Sequence, residues 1–136
     1  MSTYLERSVQ SLECAKYLNK SRKNFVSVFH CSYYSVFQLA KHVLIEVLNR
    51  NEGSLKEEET VTKKRSHELY NYLIMKELRE RDSEYAMDVN EKWNILKQYR
   101  IDADYRNTDF ESHHFGLAVK IAEILTEQLT KNFGIK

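Results

Sequence analysis

Between Arg100 and His114 the chain gathers Arg100, Asp104, Tyr105, Arg106, Asn107, His113 and His114, the densest group of chemically capable side chains in its 136 residues. An arginine holds phosphate through a planar, permanently charged guanidinium, and a histidine moves protons near neutral pH. An asparagine between them can fix their orientation through its amide. Together these residue types suit phosphodiester cleavage without a metal. The arginine offsets charge developing on the scissile phosphate, while the histidine transfers a proton to or from an attacking 2′-hydroxyl. One histidine supplies only one of the acid and the base such a reaction uses, so two copies of the group facing one another would make an effective arrangement.

Helical projection divides this group. At about 100° per residue, Arg100 lies roughly 40° from Leu96, inside the apolar stripe of Trp93, Leu96 and Ala103. An arginine there needs a counter-charge. Asp104 supplies one a turn further on, so Arg100 and Asp104 read as a structural pair. Arg106 falls on the other flank of the stripe, at the frayed end of the helix, where it can reach solvent and a ligand. Thr108-Asp109-Phe110-Glu111 reads as a capping box opening the next helix. On that helix His114 projects into the stripe of Ala118, Ile121 and Leu125 as a packed first-turn residue. His113 projects beyond its edge, near Leu117 and Ile124, either toward the cleft between the two helices or simply into solvent. Tyr105 points almost opposite the inward stripe, where a partner subunit could meet it. The candidate catalytic set is therefore Arg106, Asn107 and His113, supported by Arg100, Asp104, Tyr105 and His114.

The rest of the chain must position that set, and its composition points to helices. There is no proline, there are only three glycines, and 42% hydrophobic residues are interleaved with 30% charged ones. This is an all-helical profile with enough length to bury a core in one domain, residues 1–136, without metal or disulfide staples. A net charge of +1 argues against a broad nucleic-acid footprint and leaves room only for a local basic groove. Met1 to Arg7 leads into no apolar run, so neither a secretory signal nor a membrane span is expected, and a cytoplasmic location follows. Cys14 and Cys31 fall among apolar residues, where reduced, buried thiols are expected, and no spacing of Cys and His suggests a metal site.

Thr3-Tyr4-Leu5-Glu6 opens a first helix ending near Asn19, on whose face Leu5, Val9, Leu12, Ala15 and Leu18 recur. A second helix, from about Arg22 to Asn49, is apolar nearly all round and must be the central element of the core. Residues 51–65 show no periodicity and divide into an acidic and a basic half, which predicts an exposed, mobile loop. Its Lys63, Lys64 and Arg65 could contact a substrate or partner. A third helix begins at Ser66-His67-Glu68-Leu69 and should fray over Lys76 to Asp82. A fourth covers about Tyr85 to Tyr105, and a fifth carries Phe115, Ala118, Ala122, Leu125, Leu129 and Phe133. The expected architecture is a four- or five-helix up-and-down bundle.

Three groups of residues carry a family resemblance. Arg106-Asn107-x5-His113 matches a pattern of an arginine, a polar residue and a histidine a limited distance on; the six intervening positions lie at its upper limit. Arg100-x-x-Ala103-Asp104-Tyr105 resembles a motif late in a fourth helix. Cys31-Ser32-Tyr33-Tyr34-Ser35-Val36-Phe37-Gln38-Leu39-Ala40-Lys41 looks like a tyrosine-pair helix, and Ser66-His67 like the opening of the helix after it. These residues resemble the HEPN domain family, small helical bundles that are often dimeric and many of which are metal-independent RNases. The resemblance spans most of the chain. It implies an all-α, HEPN-like bundle acting as a homodimer on RNA with a composite Arg/His site, no cofactor and no metal, in the manner of toxin-antitoxin or phage-defence effectors. It also allows a non-catalytic module that binds a nucleotide or partners a nucleotidyltransferase or antitoxin. A purely structural helical protein is the third reading.

Overall fold

A computed structural model describes residues 3–21, 25–105, 110 and 112–135, with the backbone alone at Phe25, Tyr105 and Ser112. Six α-helices follow one another: α1 (Thr3–Ser21), α2 (Phe25–His42), α3 (Glu52–Thr62), α4 (Ser66–Arg81), α5 (Ser83–Tyr105) and α6 (Ser112–Asn132). A π-helical turn, Val43–Val47, continues α2. Among the described residues there is no strand, as the composition required.

Helix α2 occupies the centre because its Val28, Phe29, Tyr33, Val36, Leu39 and Ala40 are all buried, and α1, α4, α5 and α6 pack around it. Helix α1 runs antiparallel to α2, and α6 antiparallel to α5. Lys41 Nζ lies 4.5 Å over the Tyr4 ring and Ser8 Oγ donates to the Ser35 carbonyl at 2.6 Å, which sets α1 against α2. Asn71 Nδ2 donates to Asn90 Oδ1 at 3.2 Å between α4 and α5, and Tyr85 OH donates to the Gln128 carbonyl at 3.0 Å between α5 and α6. The expected inward stripe of α5, Ala86, Val89, Trp93 and Leu96, is buried, as is that of α6 from Phe115 to Phe133.

The expectation of a loop over 51–65 is corrected. Glu52–Thr62 is helical, with the Asn51 side chain as N-cap, accepting from the Gly53 N–H at 2.7 Å and the Ser54 N–H at 3.4 Å. Its buried residue, Leu55, is 1% exposed, too little apolar surface to generate a periodic signal. Polar tethers hold the rest: Arg50 pairs with Glu58, Tyr4 OH donates to Glu52, and Lys41 lies 3.8 Å from Glu52. Lys63, at φ 58°, ends the helix in a left-handed conformation.

Two further boundaries differ. The long second helix changes character at His42, where the π turn widens the spiral and shifts its phase, so that the adjacent Val43 and Leu44 are both fully buried. Helix α4 does not fray in its charged run. Leu78 is buried there, and Arg81 Nη1 donates to Asn132 Oδ1 at 2.8 Å and to its carbonyl at 2.9 Å while its guanidinium covers the Phe133 ring at 4.6 Å. Asp82 then caps α5, accepting from the Glu84 and Tyr85 N–H groups. Among the described residues no helix is long and apolar enough to cross a membrane.

If α3 is a packed helix, Leu55→Ala should lower unfolding free energy by about 2–5 kcal/mol and Asn51→Ala by about 1 kcal/mol. Urea denaturation followed by circular dichroism measures both. A mobile loop would leave both values near zero.

Candidate functional site

Arg100 and Asp104 sit one turn apart near the end of α5, with Arg100 Nε and Asp104 Oδ2 4.0 Å apart and side chains only 18% and 22% exposed. That separation is too long for a hydrogen bond, and Arg100 Nε is buried with no hydrogen-bond partner. The guanidinium is instead compensated by ring faces. Its central carbon lies 5.2 Å from the centroid of Tyr33 and 5.6 Å from that of Tyr34. A cation over aromatic faces is attracted by their quadrupoles, more strongly when water is partly excluded. The other oxygen of Asp104 faces α2, where His30 Nε2 donates to Oδ1 at 2.6 Å. One carboxylate therefore serves two helices.

His67, the second residue of α4, closes the arrangement from the far side. Its ring stacks on Phe37 at 4.4 Å, and its Nδ1 lies 2.7 Å from Tyr33 OH. Burial holds the His67 imidazole below its ordinary 6.5, and the Arg100 and Lys97 charges act in the same direction. Burial likewise pushes the Tyr33 phenol up to about 12, against the opposing influence of Arg100. Near neutral pH the two groups are therefore both uncharged, a phenol against a neutral imidazole. Two of the three groups that carry the family resemblance, the tyrosine-pair helix with Ser66-His67 and the Arg100–Asp104 stretch, meet in this cluster.

Of the residues expected to carry chemistry, Arg106 and Asn107 lie outside the described residues, as does the side chain of Tyr105; the second capping box does so too, except for Phe110. His113 is exposed in the first turn of α6 and His114 is half-buried, with ring centroids 4.2 Å apart. His114 packs toward Tyr99 at 5.9 Å and Phe110 at 6.2 Å. This agrees with the projection that put His114 in the stripe and His113 outside it. Phe29 anchors the surroundings, touching Tyr99 at 5.1 Å, Phe110 at 4.6 Å and Phe115 at 5.0 Å. One buried ring on α2 thus holds Tyr99 of α5, Phe110 and Phe115 of α6 together.

His30 and the stacking of Arg100 on the tyrosine pair were missed by sequence reasoning. A signal existed: His30 precedes Tyr34 by one helical turn, so both share the face that meets α5. The expectation of two buried thiols is also corrected. Cys14 is exposed and Cys31 half-buried, because both open onto a cavity of about 350 Å³ between α1 and α2 rather than into the core. Arg7 and Gln10 line it from α1, and His30, Tyr34 and Gln38 from α2; Gln38 Oε1 is buried without a hydrogen-bond partner. Among the described residues no group of three or more His, Cys, Asp or Glu is gathered for a metal.

The depressed His67 titration fixes the sign of a pH effect. Its folded-state value lies below the unfolded 6.5, so the stabilisation is complete above about 6.5 and is lost as pH falls through the window beneath it. His42, also held down by burial, contributes with the same sign. NMR titration should place the His67 ring below 6.5, and Arg100→Gln should move it upward; a wild-type midpoint at or above 6.5 would refute this account. No family model matches the chain, and no curated protein and no solved structure proved similar to it.

Proposed function

We propose that the α5–α6 junction cleaves RNA without a metal, with Arg106 holding the scissile phosphate, His113 transferring the proton and Asn107 orienting them, in a homodimer that pairs two such junctions. The observation that carries this reading is the division of the polar residues. Arg100 and Asp104 are engaged with α2, whereas His113 stands exposed at the start of α6, on a wall fixed by Phe29, Tyr99, Phe110 and Phe115. A rigid scaffold behind an accessible imidazole is what proton transfer to a bound substrate requires. The meeting of the Arg100–Asp104 pair, the tyrosine pair and His67 in one cluster supports the resemblance to the HEPN family, from which the substrate class comes. Leu117, exposed one turn along α6 from His113, offers apolar surface for the second copy. In this reading the protein is a toxin-antitoxin or phage-defence effector acting in the cytoplasm, restrained by an antitoxin.

A second reading is favoured by the cavity between α1 and α2. Its volume of about 350 Å³ and its mixture of Arg7, Gln10 and Gln38 with apolar surface suit a small ligand, in keeping with a non-catalytic nucleotide-binding module or a nucleotidyltransferase partner. In that case the melting temperature should rise with added nucleotide while RNA remains intact.

Purified protein incubated with RNA in EDTA should leave 2′,3′-cyclic phosphate ends. Arg106→Ala and His113→Ala should each slow cleavage by about 10²–10⁴-fold, while His114→Ala should retain most of the rate. Cleavage that survives in both of the first two variants would remove the site assignment.

A further inference from the structure

We propose that Cys14 and Cys31 form a reversible dithiol–disulfide pair, oxidised by a small disulfide of the glutathione type. The two thiols stand on the helices whose register is fixed by Tyr4 with Lys41 and by Ser8 with Ser35. Cys14 lies as far along α1 beyond Tyr4 as Cys31 lies back along α2 from Lys41, which brings the two to one level. Both line the same cavity, close enough for Cys14 to act on the ionisation of Cys31.

The surroundings give the two sulfurs different tasks. Cys14 is exposed and meets a reagent first, whereas Cys31 is half-buried beneath it. Burial, and then the neighbouring Cys14, pushes the Cys31 thiol up to about 12, so Cys31 keeps its proton until a partner disulfide is in place. Cys14 is the attacking residue and Cys31 the resolving one. The remaining cavity wall suits a peptidic disulfide. The Arg7 guanidinium can pair with a carboxylate, the Gln10 carboxamide can meet peptide groups, and the unpartnered Gln38 Oε1 is an open acceptor for an N–H.

The exchange balances in two steps. Cys14 thiolate attacks one sulfur of oxidised glutathione; that S–S bond breaks, a bond between Cys14 and one glutathione forms, and the other glutathione leaves as thiolate. Cys31 then loses its proton to solvent base, attacks the Cys14 sulfur and expels the second glutathione. Two protein thiols are oxidised and one glutathione disulfide is reduced to two thiols, which take up the two protons released. The new bond fastens α1 to α2 beside His30, the sequence neighbour of Cys31 and the residue that holds Asp104.

The full chain, incubated with excess oxidised glutathione and then read by intact mass and peptide mapping, tests this. Expected is the loss of two hydrogens per chain with no added mass, a cross-linked peptide joining Cys14 to Cys31, and full reversal by dithiothreitol. Cys31→Ser should stop at one glutathione attached to Cys14, and Cys14→Ser should remain unmodified in the folded state. A persistent glutathione adduct on the wild type, disulfide-linked dimers, unreacted thiols, or modification of Cys31 in Cys14→Ser as fast as Cys14 reacts in Cys31→Ser would each overturn the proposal.

Discussion

Helix α2 is apolar and aromatic around nearly its whole circumference, and such a helix has no stable position except in the interior. That requirement organises the molecule. Four other helices surround α2, and three polar groups that it carries inward find partners on three of them. The Ser35 carbonyl accepts from Ser8 on α1, Tyr33 bonds His67 on α4, and His30 bonds Asp104 on α5. A partner left behind on folding would strand a buried donor or acceptor at a cost of about 1–3 kcal/mol, so these bonds select the packing among many that would cover the apolar surface equally well.

Arg100 is the sharpest case. A guanidinium with an 18% exposed side chain cannot be left to solvent alone, and its nearest carboxylate is already shared with His30. The faces of Tyr33 and Tyr34 provide the remaining stabilisation, which ties the identity of two residues on α2 to one residue on α5. Lysine at position 100 would not substitute, since its compact ammonium neither spreads over two rings nor sheds water as easily. The motif at the end of α5 is thus explained by packing before any reaction is considered.

Much of this was legible from spacing. Long periodic stripes placed α1, α5 and α6, the circumferential apolarity of α2 placed it at the centre, and the projection of Arg100 beside Leu96 anticipated its pairing with Asp104. Helix α3 was not legible, because one buried leucine generates no period, and because its cap and tethers, Asn51, Glu52 and Glu58, are the same residue types that mark loops. The π turn was hidden for a related reason: a phase shift inside an apolar run leaves the run apolar. His30 and the partner of His67 escaped notice because the paired residues are distant in sequence, and only a packed structure shows which helix faces which. Cys14 and Cys31 misled for the opposite reason, since apolar neighbours in sequence do not place a side chain toward the core when it borders a cavity.

Tyr33 and His67, a phenol 2.7 Å from an imidazole, have the outward form of an acid and base pair, and the electrostatics assign them another role. Moving the proton from Tyr33 to His67 would require a phenol that holds its proton up to about 12 to yield it to an imidazole already held below 6.5. Burial sets both values, and Arg100, the one cation acting on both, makes His67 a still weaker base. A catalytic pair needs values drawn toward the working pH, and here they are driven apart in the unproductive direction, phenol high and imidazole low. The hydrogen bond is therefore static, and its consequence is a fixed ring orientation at the junction of α2, α4 and α5. The exposed imidazole of His113 at the start of α6 differs from His67 in this respect, being open to solvent where His67 is half-buried.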